Sequence, residues 1–281
     1  MSRAPINLKK QNCDPVAIKS AVDYALQVAS GFEMWMRNFG PDERRSASRP
    51  FADLRVLEVG PGKTLGATVL LACGGARVSA ADRYLAPWDA DFHGPFYRAL
   101  RDAVNLQRPD LDPAPIDRLL QSPGFARRVV ACYPFAAEEL WKIDQRFDVA
   151  LSNAVLEHVQ DIEVTAANLL SVTERHGHGF HQVDFRDHQD FTRPLEYLTM
   201  SRVDFAGLRQ QHFCERGGQW RMSTVAAAFE KAGFRQQSHP NMFAEPAYLA
   251  DVRPRVHPEF ADVTDEDLAA ISAFFAVQRI S

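Results

Sequence analysis

Cysteine is scarce and scattered. Cys13, Cys73, Cys132 and Cys214 include no C-x-x-C pair, so neither a disulfide framework nor a zinc ribbon is encoded and reduced thiols are expected. Basic charge is lacking too. A net charge of -4 and a pI near 6.1 supply no field for a polyanion, which argues against nucleic acid or an anionic membrane as partner. No apolar run reaches membrane-spanning length, and the opening residues lack the apolar stretch of a secretory leader, so a cytoplasmic protein is expected. Internal repeats and low-complexity tracts are also missing. What is present is core material. Hydrophobic residues make up 46% of 281 positions, enough for one α/β core with added helical cover and short of two full domains.

Residues 54–66, Leu-Arg-Val-Leu-Glu-Val-Gly-Pro-Gly-Lys-Thr-Leu-Gly, read as a buried strand that ends in a glycine turn and opens into a helix. Val56, Leu57 and Val59 give the strand its apolar core. Gly60 and Gly62 permit backbone conformations and a close ligand approach that a Cβ would obstruct, and the helix that follows offers free backbone N–H groups. The spacing G-x-G-x-x-x-G is one residue longer than the dinucleotide fingerprint. Glu58 stands two residues before its first glycine, where a carboxylate repels a pyrophosphate and suits a cationic amine. Asp82, 22 residues after Gly60 at the end of a short strand, is placed to meet ribose hydroxyls; a helix-capping or loop acid is the alternative. Dinucleotide enzymes use the same device, so Asp82 does not choose between cofactors.

A second segment, residues 147–159, reads as a strand, a small polar corner at Ser152 and Asn153, and an amphipathic helix carrying Glu157 and His158. The two segments together resemble the class I S-adenosylmethionine-dependent methyltransferases. Glu58, Gly60, Gly62 and Gly66 match that family's acidic-x-Gly-x-Gly-x-x-x-Gly motif position for position, and F-D-x-x-x-S-x-x-V-L-E-H-V is similar to what many small-molecule methyltransferases carry after the fourth strand. The resemblance implies a doubly wound, Rossmann-like α/β fold: a seven-stranded, mostly parallel sheet with helices on both faces. It also implies S-adenosyl-L-methionine as cofactor. The methionine moiety would lie on Glu58 and the turn of Gly60, Pro61, Gly62 and Gly66, the ribose on Asp82, and Ser152 and Asn153 at the cofactor's edge. One departure stands out. Many relatives place an aspartate on the adenine just past the third strand, and Tyr133-Pro-Phe135 and Glu138-Glu139 offer none, which leaves backbone groups near Tyr133 as the substitute.

Residues 1–50 are expected to form an N-terminal helical cover and linker, with helical spacing over 14–39, and residues 51–281 the methyltransferase core. The helical cover either shields the cofactor mouth or packs on the core. Some 45 residues separate Asp82 from the next strand, near 127–132, far more than a connection needs. This insertion, 83–126, brings Trp88, Phe92, His93, Phe96 and Tyr97 together, either as an acceptor lid that stacks on the ligand or as a satellite core. Further on, residues 179–184 read as the fifth strand, 221–234 as a helix closed by Gly233, Phe234 onward as the sixth strand, 246–252 as an antiparallel seventh, and 265–278 as a final helix.

Residues 176–191 hold four of the nine histidines and three aspartates. The order of elements puts His188 on the loop at the carboxyl end of the fifth strand, where ligands of such sheets bind. Three readings compete. His188 can act as general base on a hydroxyl, with Asp184 orienting it and His158 beside it; a divalent metal can be held by His181, Asp184, Asp187 or His188; or the loop is simply polar. The spacing matches no recognised metal motif, so no metal is assigned. The stretch from Asp187 to Ser201, and the approach from Arg221 to Ala232-Gly233-Phe234, are similar to methyltransferases of sugar, glycan and natural-product biosynthesis. That resemblance implies O-methylation of a sugar or secondary-metabolite hydroxyl. N- or C-methylation of a small metabolite, an NAD-dependent oxidoreductase and a non-catalytic S-adenosylmethionine-binding module are the rival readings. A homodimer is left open as the assembly.

Overall fold

The strand and helix periods alternate from Arg55 onward, and the computed structural model, which describes residues 11–122, 129–211 and 216–280, joins them into one sheet. Helix α1 (Pro15–Phe39) and the single turn α2 (Asp42–Arg45) come first. Next are β1 (Arg55–Val59), α3 (Gly66–Cys73), β2 (Arg77–Ala81), α4 (Ala90–Gln107), α5 (Ala114–Gln121), β3 (Ala131–Tyr133) and β4 (Phe147–Asn153). The second half runs α6 (Ile162–Val172), β5 (Thr173–Asp184), α7 (Arg202–Gln211), α8 (Met222–Ala232), β6 (Phe234–Phe243), α9 (Pro246–Val252), α10 (Asp265–Ala269) and β7 (Ala270–Arg279). The readings made on residues 1–10, on Cys214, on 123–126 of the insertion and on 127–128 of the third strand lie outside the described residues.

The strand order is β3-β2-β1-β4-β5-β7-β6. Strands β1 to β5 run parallel, and β7 lies antiparallel between β5 and β6, so the expected seven-stranded, mostly parallel sheet is present. Chain order reverses between β1 and β4, the position where open sheets of this kind leave a crevice at the carboxyl ends of the strands. Register aligns those ends, because Val59 pairs with Ala81 on one side and Ser152 on the other.

Pleating sends successive side chains to opposite faces, and Phe274 and Phe275 show the division. Phe274 joins the core formed by α1, α3, α4 and α5; Phe275 joins the one formed by α6 and α8. A third cluster, with Leu198, Phe205, Phe260 and Leu268, caps the end of β5 and β7. Asp14 starts α1 by accepting the Ala17 N–H at 2.8 Å. Ile18, Val22, Ala25, Ala29, Phe32 and Met36 then form its buried stripe.

Three elements differ from the sequence reading. Residues 246–252 are helical, not a strand: Pro246 occupies the first turn, where its fixed φ suits a helix and its missing N–H is no loss. The seventh strand is instead β7, where a helix was expected over 265–278; only Asp265–Ala269 is helical. Residues 270–277 are buried on both faces, and a continuous apolar run carries neither period to tell strand from helix. After β4 the helix is delayed. A 3-10 turn spans Leu156–His158, and α6 begins only where Asp161 caps the N–H groups of Glu163 and Val164 at 2.9 and 3.0 Å.

Candidate active site

A cavity of ≈ 590 Å³ opens at the carboxyl ends of β1, β2 and β4, within the roughly 300–1,000 Å³ typical of small-molecule sites. Its floor is the glycine turn. Gly60 and Gly62 have φ of 67° and 68°, a region that penalises any side chain. A Cβ on Gly60 would sit 2.4 Å from Val155 Cγ2, whereas one on Gly62 would meet nothing within 4 Å, so Gly62 faces the cavity and Gly60 admits Val155. Gly60→Ala is therefore expected to combine left-handed strain with overpacking, at about 2–3 kcal/mol and a loss of roughly 5–10 °C in Tm. Val155→Ala in that background should restore part of it; an unchanged Tm in a thermal scan of Gly60→Ala would contradict the close contact.

Glu58 lies at the base of the turn, 3% exposed, and accepts the Thr68 hydroxyl. Burial pushes its carboxyl up to about 7, against the lowering effect of that hydroxyl. Along one wall, Asp82 Oδ1 accepts the Tyr84 N–H at 2.6 Å, which fixes the carboxylate at the cavity edge. Ala136 and Ala137 give an apolar surface next to it, and Glu138 is held by the Gln160 N–H at 2.6 Å and by Arg83 at 3.4 Å. On the other side Asn153 Nδ2 donates to Tyr24 Oη at 2.9 Å. Through Tyr24, Ala25 and Val28, α1 lines the cavity, and Ala25 also belongs to the buried stripe that packs on the core.

The turn is braced from the insertion. Tyr97 Oη donates to Thr64 O at 2.5 Å. His93 Nδ1 accepts the Asp89 N–H at 2.8 Å, which leaves Nε2 as the donor to Lys63 O at 3.0 Å. Phe92, His93, Phe96 and Tyr97 are buried in the core; their rings support the turn and present no face to the cavity. Among the described residues of the insertion, Arg83 and Tyr84 do line it.

At the far end stand His158, on the 3-10 turn after β4, and His188, on the loop after β5. Both line the cavity, and their rings meet edge to face at 4.9 Å. Glu157 lies beneath them, 1% exposed. Neither carboxylate oxygen makes a hydrogen bond of proper geometry, although the backbone N–H groups of Glu157 and Asp184 lie near enough to moderate its charge. Burial, the dominant influence, drives its carboxyl well above the usual range.

Of the residues singled out from sequence, Glu58, Gly60, Pro61, Gly62, Asp82, Asn153, His158 and His188 line this one cavity. Four have other places. Gly66 lets α1 approach α3, since a Cβ there would be 2.6 Å from Ala25 Cβ. Tyr133 accepts the Asp82 N–H at 3.2 Å through its carbonyl and extends the sheet behind the cavity. Ser152 is buried, bonded to His181 Nδ1 at 2.8 Å. Asp184 is bound by Arg186 at 2.6 Å, and His188 Nε2 lies 3.8 Å away, too far for the orienting hydrogen bond expected of it. His181 and Asp187 likewise leave the metal reading. Burial lowers His181 to about 3, so it is a neutral core imidazole against Phe229, and Arg216 pairs with Asp187 at 2.7 Å. Tyr24, Val155 and Glu138 were missed; Tyr24 and Val28, four apart on an outer face of α1, carried a faint signal as an i,i+4 pair.

A seven-stranded sheet of this order, with a glycine turn at its switch point, defines an α/β protein that holds a nucleotide-type cofactor. A family model described as "Methyltransferase domain" matches residues 34–239. The chain belongs to this family and is an S-adenosylmethionine-dependent methyltransferase. Comparison with curated protein sequences finds no match. Among solved structures, the chain is similar to a methyltransferase of Thermotoga maritima described as a possible histamine N-methyltransferase, at 15% identity, covering 90% of this chain and 96% of that one with a TM-score of 0.42. It is also similar to the magnesium protoporphyrin IX methyltransferase of Synechocystis with bound SAH, at 11% identity, 96% and 90% coverage and a TM-score of 0.45. A third is an S-adenosylmethionine-dependent methyltransferase of Mesorhizobium loti, at 12% identity, 84% and 100% coverage and a TM-score of 0.44. Among the described residues no helix is long and apolar enough to cross a membrane.

Proposed function

We propose that the protein methylates a hydroxyl of a small molecule, with a sugar or secondary metabolite as the acceptor class and the cytoplasm as its place of work. The observation that carries this reading is that Glu58, the glycine turn and the His158–His188 pair all line one cavity. Glu58 takes the donor's ammonium group, Gly60, Pro61 and Gly62 lie under its methionine backbone, Asp82 takes the ribose hydroxyls, and Ala136 and Ala137 provide the apolar wall for adenine. Asn153, which donates to Tyr24 Oη, lines the same cavity at the cofactor's edge. Gly66, Tyr133 and Ser152 support these residues from behind. The fit to the cofactor rests on a buried carboxylate awaiting a cation and on a turn that stays open above Gly62.

S-adenosylmethionine supplies an electrophilic methyl group on a sulfonium. The chain's own task is to hold the acceptor oxygen in line with that methyl, largely a positioning effect, and to deal with the hydroxyl proton. His158 and His188 are the groups at the acceptor end suited to that proton. Asp184, fixed by Arg186, lies behind them, 3.8 Å from His188 Nε2.

Isothermal titration with S-adenosylhomocysteine should give one site per chain, and the absence of binding would end this reading. His188→Ala is expected to lower kcat by about 100-fold while the Kd for S-adenosylhomocysteine changes by less than about twofold. Unchanged turnover would remove His188 from the acceptor side.

A further inference from the structure

We infer that Glu157, His158 and His188 form a site for a divalent first-row metal ion, with an open position that faces the cavity and takes the acceptor oxygen. One ligand atom from each of the three lies within 4.8 Å of the other two. A tetrahedral ion with bonds of about 2.1 Å needs its ligands about 3.4 Å apart, so side-chain shifts of about an ångström close the set. Two imidazoles and a carboxylate disfavour magnesium and calcium, which prefer oxygen ligands. They are the donors of catalytic zinc and non-haem iron sites that keep a coordination position open.

The state of Glu157 gives the second observation. Its side chain is 1% exposed, neither oxygen makes a hydrogen bond of proper geometry, with the backbone N–H groups of Glu157 and Asp184 nearby, and the ion-pair partner within 4.0 Å among the described residues is His158 Nε2 itself. A buried carboxylate in that condition is costly unless a cation completes it. The backbone explains how it came there. Ala154 has a φ of 54° and the chain then makes a 3-10 turn over Leu156–His158, which directs Glu157 under the cavity and His158 into it. Asp184, 3.8 Å from His188 Nε2 and bound to Arg186, adds negative charge nearby.

The role of the ion rests on the proposed function; its binding does not. With their ring nitrogens on the ion, His158 and His188 act on the acceptor through the metal in place of taking its proton themselves: a hydroxyl bound to the ion releases its proton to solvent more readily. The resulting oxygen uses a lone pair to form the bond to the methyl carbon as the carbon–sulfur bond breaks, and that electron pair stays on sulfur. Charge and atoms balance as sulfonium donor plus alcohol giving thioether, methyl ether and a proton.

The test uses the full chain, freed of metal with a chelator, and Co²⁺ as the probe. Titration followed by visible absorption and calorimetry should show one equivalent bound, with d–d bands of a nitrogen- and oxygen-ligated ion. Outer-shell partners of metals are worth about 10–100-fold in affinity, so loss of a direct ligand in Glu157→Gln should weaken Co²⁺ by about 100-fold or more. Thermal melting and S-adenosylhomocysteine binding of metal-free Glu157→Gln serve as controls for folding: its Tm should be no lower than that of the metal-free parent, and its affinity for S-adenosylhomocysteine should match. Failure of the parent protein to bind Co²⁺, or equal binding by a folded Glu157→Gln, overturns the site. If Co²⁺ binds as described while S-adenosylhomocysteine does not, the metal site stands and the cofactor placement falls.

Discussion

Glu58→Gln is expected to weaken S-adenosylhomocysteine binding by about 100-fold and, in the same protein, to raise the Tm of the ligand-free form above pH 7. The first effect follows from the loss of a buried, charge-assisted contact to an ammonium group, worth about 1.5–3 kcal/mol for each hydrogen bond to a charged partner and more where water is excluded. The second follows from linkage. Burial raises the Glu58 carboxyl from 4.5 to about 7, so the folded state holds this proton more tightly than the unfolded state. Stability from this group is full below pH 4.5 and is lost as pH rises to about 7. Above that the ionised carboxylate is buried at a cost of up to about 3 kcal/mol. Glutamine keeps an oxygen for the Thr68 hydroxyl and removes the charge. Binding by the parent should accordingly weaken as pH falls from 7.5 toward 5.5, because protonated Glu58 offers the ammonium no counter-charge. Calorimetry across that pH range is the check. A flat affinity together with a tight-binding Glu58→Gln would show that the donor's cation lies elsewhere. The pairing of lost affinity with gained stability is characteristic of a functional group held in a state the apo fold alone does not favour.

Residues whose roles depend on short-range pattern were legible. The apolar run of β1, the glycines, Glu58 and Asp82 lie within one strand-turn-helix-strand unit, where period and spacing suffice. The end of the chain was not. Residues 270–277 are buried on both faces, so nothing in their order marks a strand, and α9 takes its form from packing in the third cluster. Within the site, the hidden part is what long-range register decides. Asn153 pairs with Gln182 across β4 and β5, and this brings the loop after each strand to the same edge. Only there do Glu157 and His158 meet His188. The histidine-rich segment announced polar chemistry, but which acids stay available depends on Arg186 and Arg216, and Arg216 lies 29 residues from Asp187. Tyr97 and His93 illustrate the same point from the other direction. Their aromatic clustering suggested a ligand surface, whereas their polar tips hold the carbonyls of Thr64 and Lys63 from the core side.

Arg221→Met is expected to lower the Tm by about 10 °C, near 3 kcal/mol for a chain of this size, and to do so without touching the cavity. Arg221 is 1% exposed. One guanidinium nitrogen donates to Asp267 O at 2.6 Å, to Leu268 O at 3.1 Å and to Ala270 O. The other donates to Tyr197 Oη at 3.0 Å and toward Phe185 O at 3.4 Å, and Tyr197 itself donates to Phe185 O at 2.6 Å. The side chain thus ties the start of β7 to the residue that follows β5, at the N-terminus of α8. Methionine fills much of the volume but leaves those carbonyls short of donors in a buried place, and a buried acceptor left unpaired costs about 1–3 kcal/mol. The loss is partly offset by no longer burying a charge. Arg221→Lys should recover less than half of the Tm, because an ammonium on a flexible stem cannot reproduce the planar fork that serves both sides at once. Because β5 leads directly into the loop that carries His188, kcat should fall in both variants at temperatures well below the new Tm, while S-adenosylhomocysteine affinity, set on β1 and β2, stays near the parent value. A Tm of Arg221→Met within about 2 °C of the parent would mean that the strand junction is held by the surrounding apolar cluster alone.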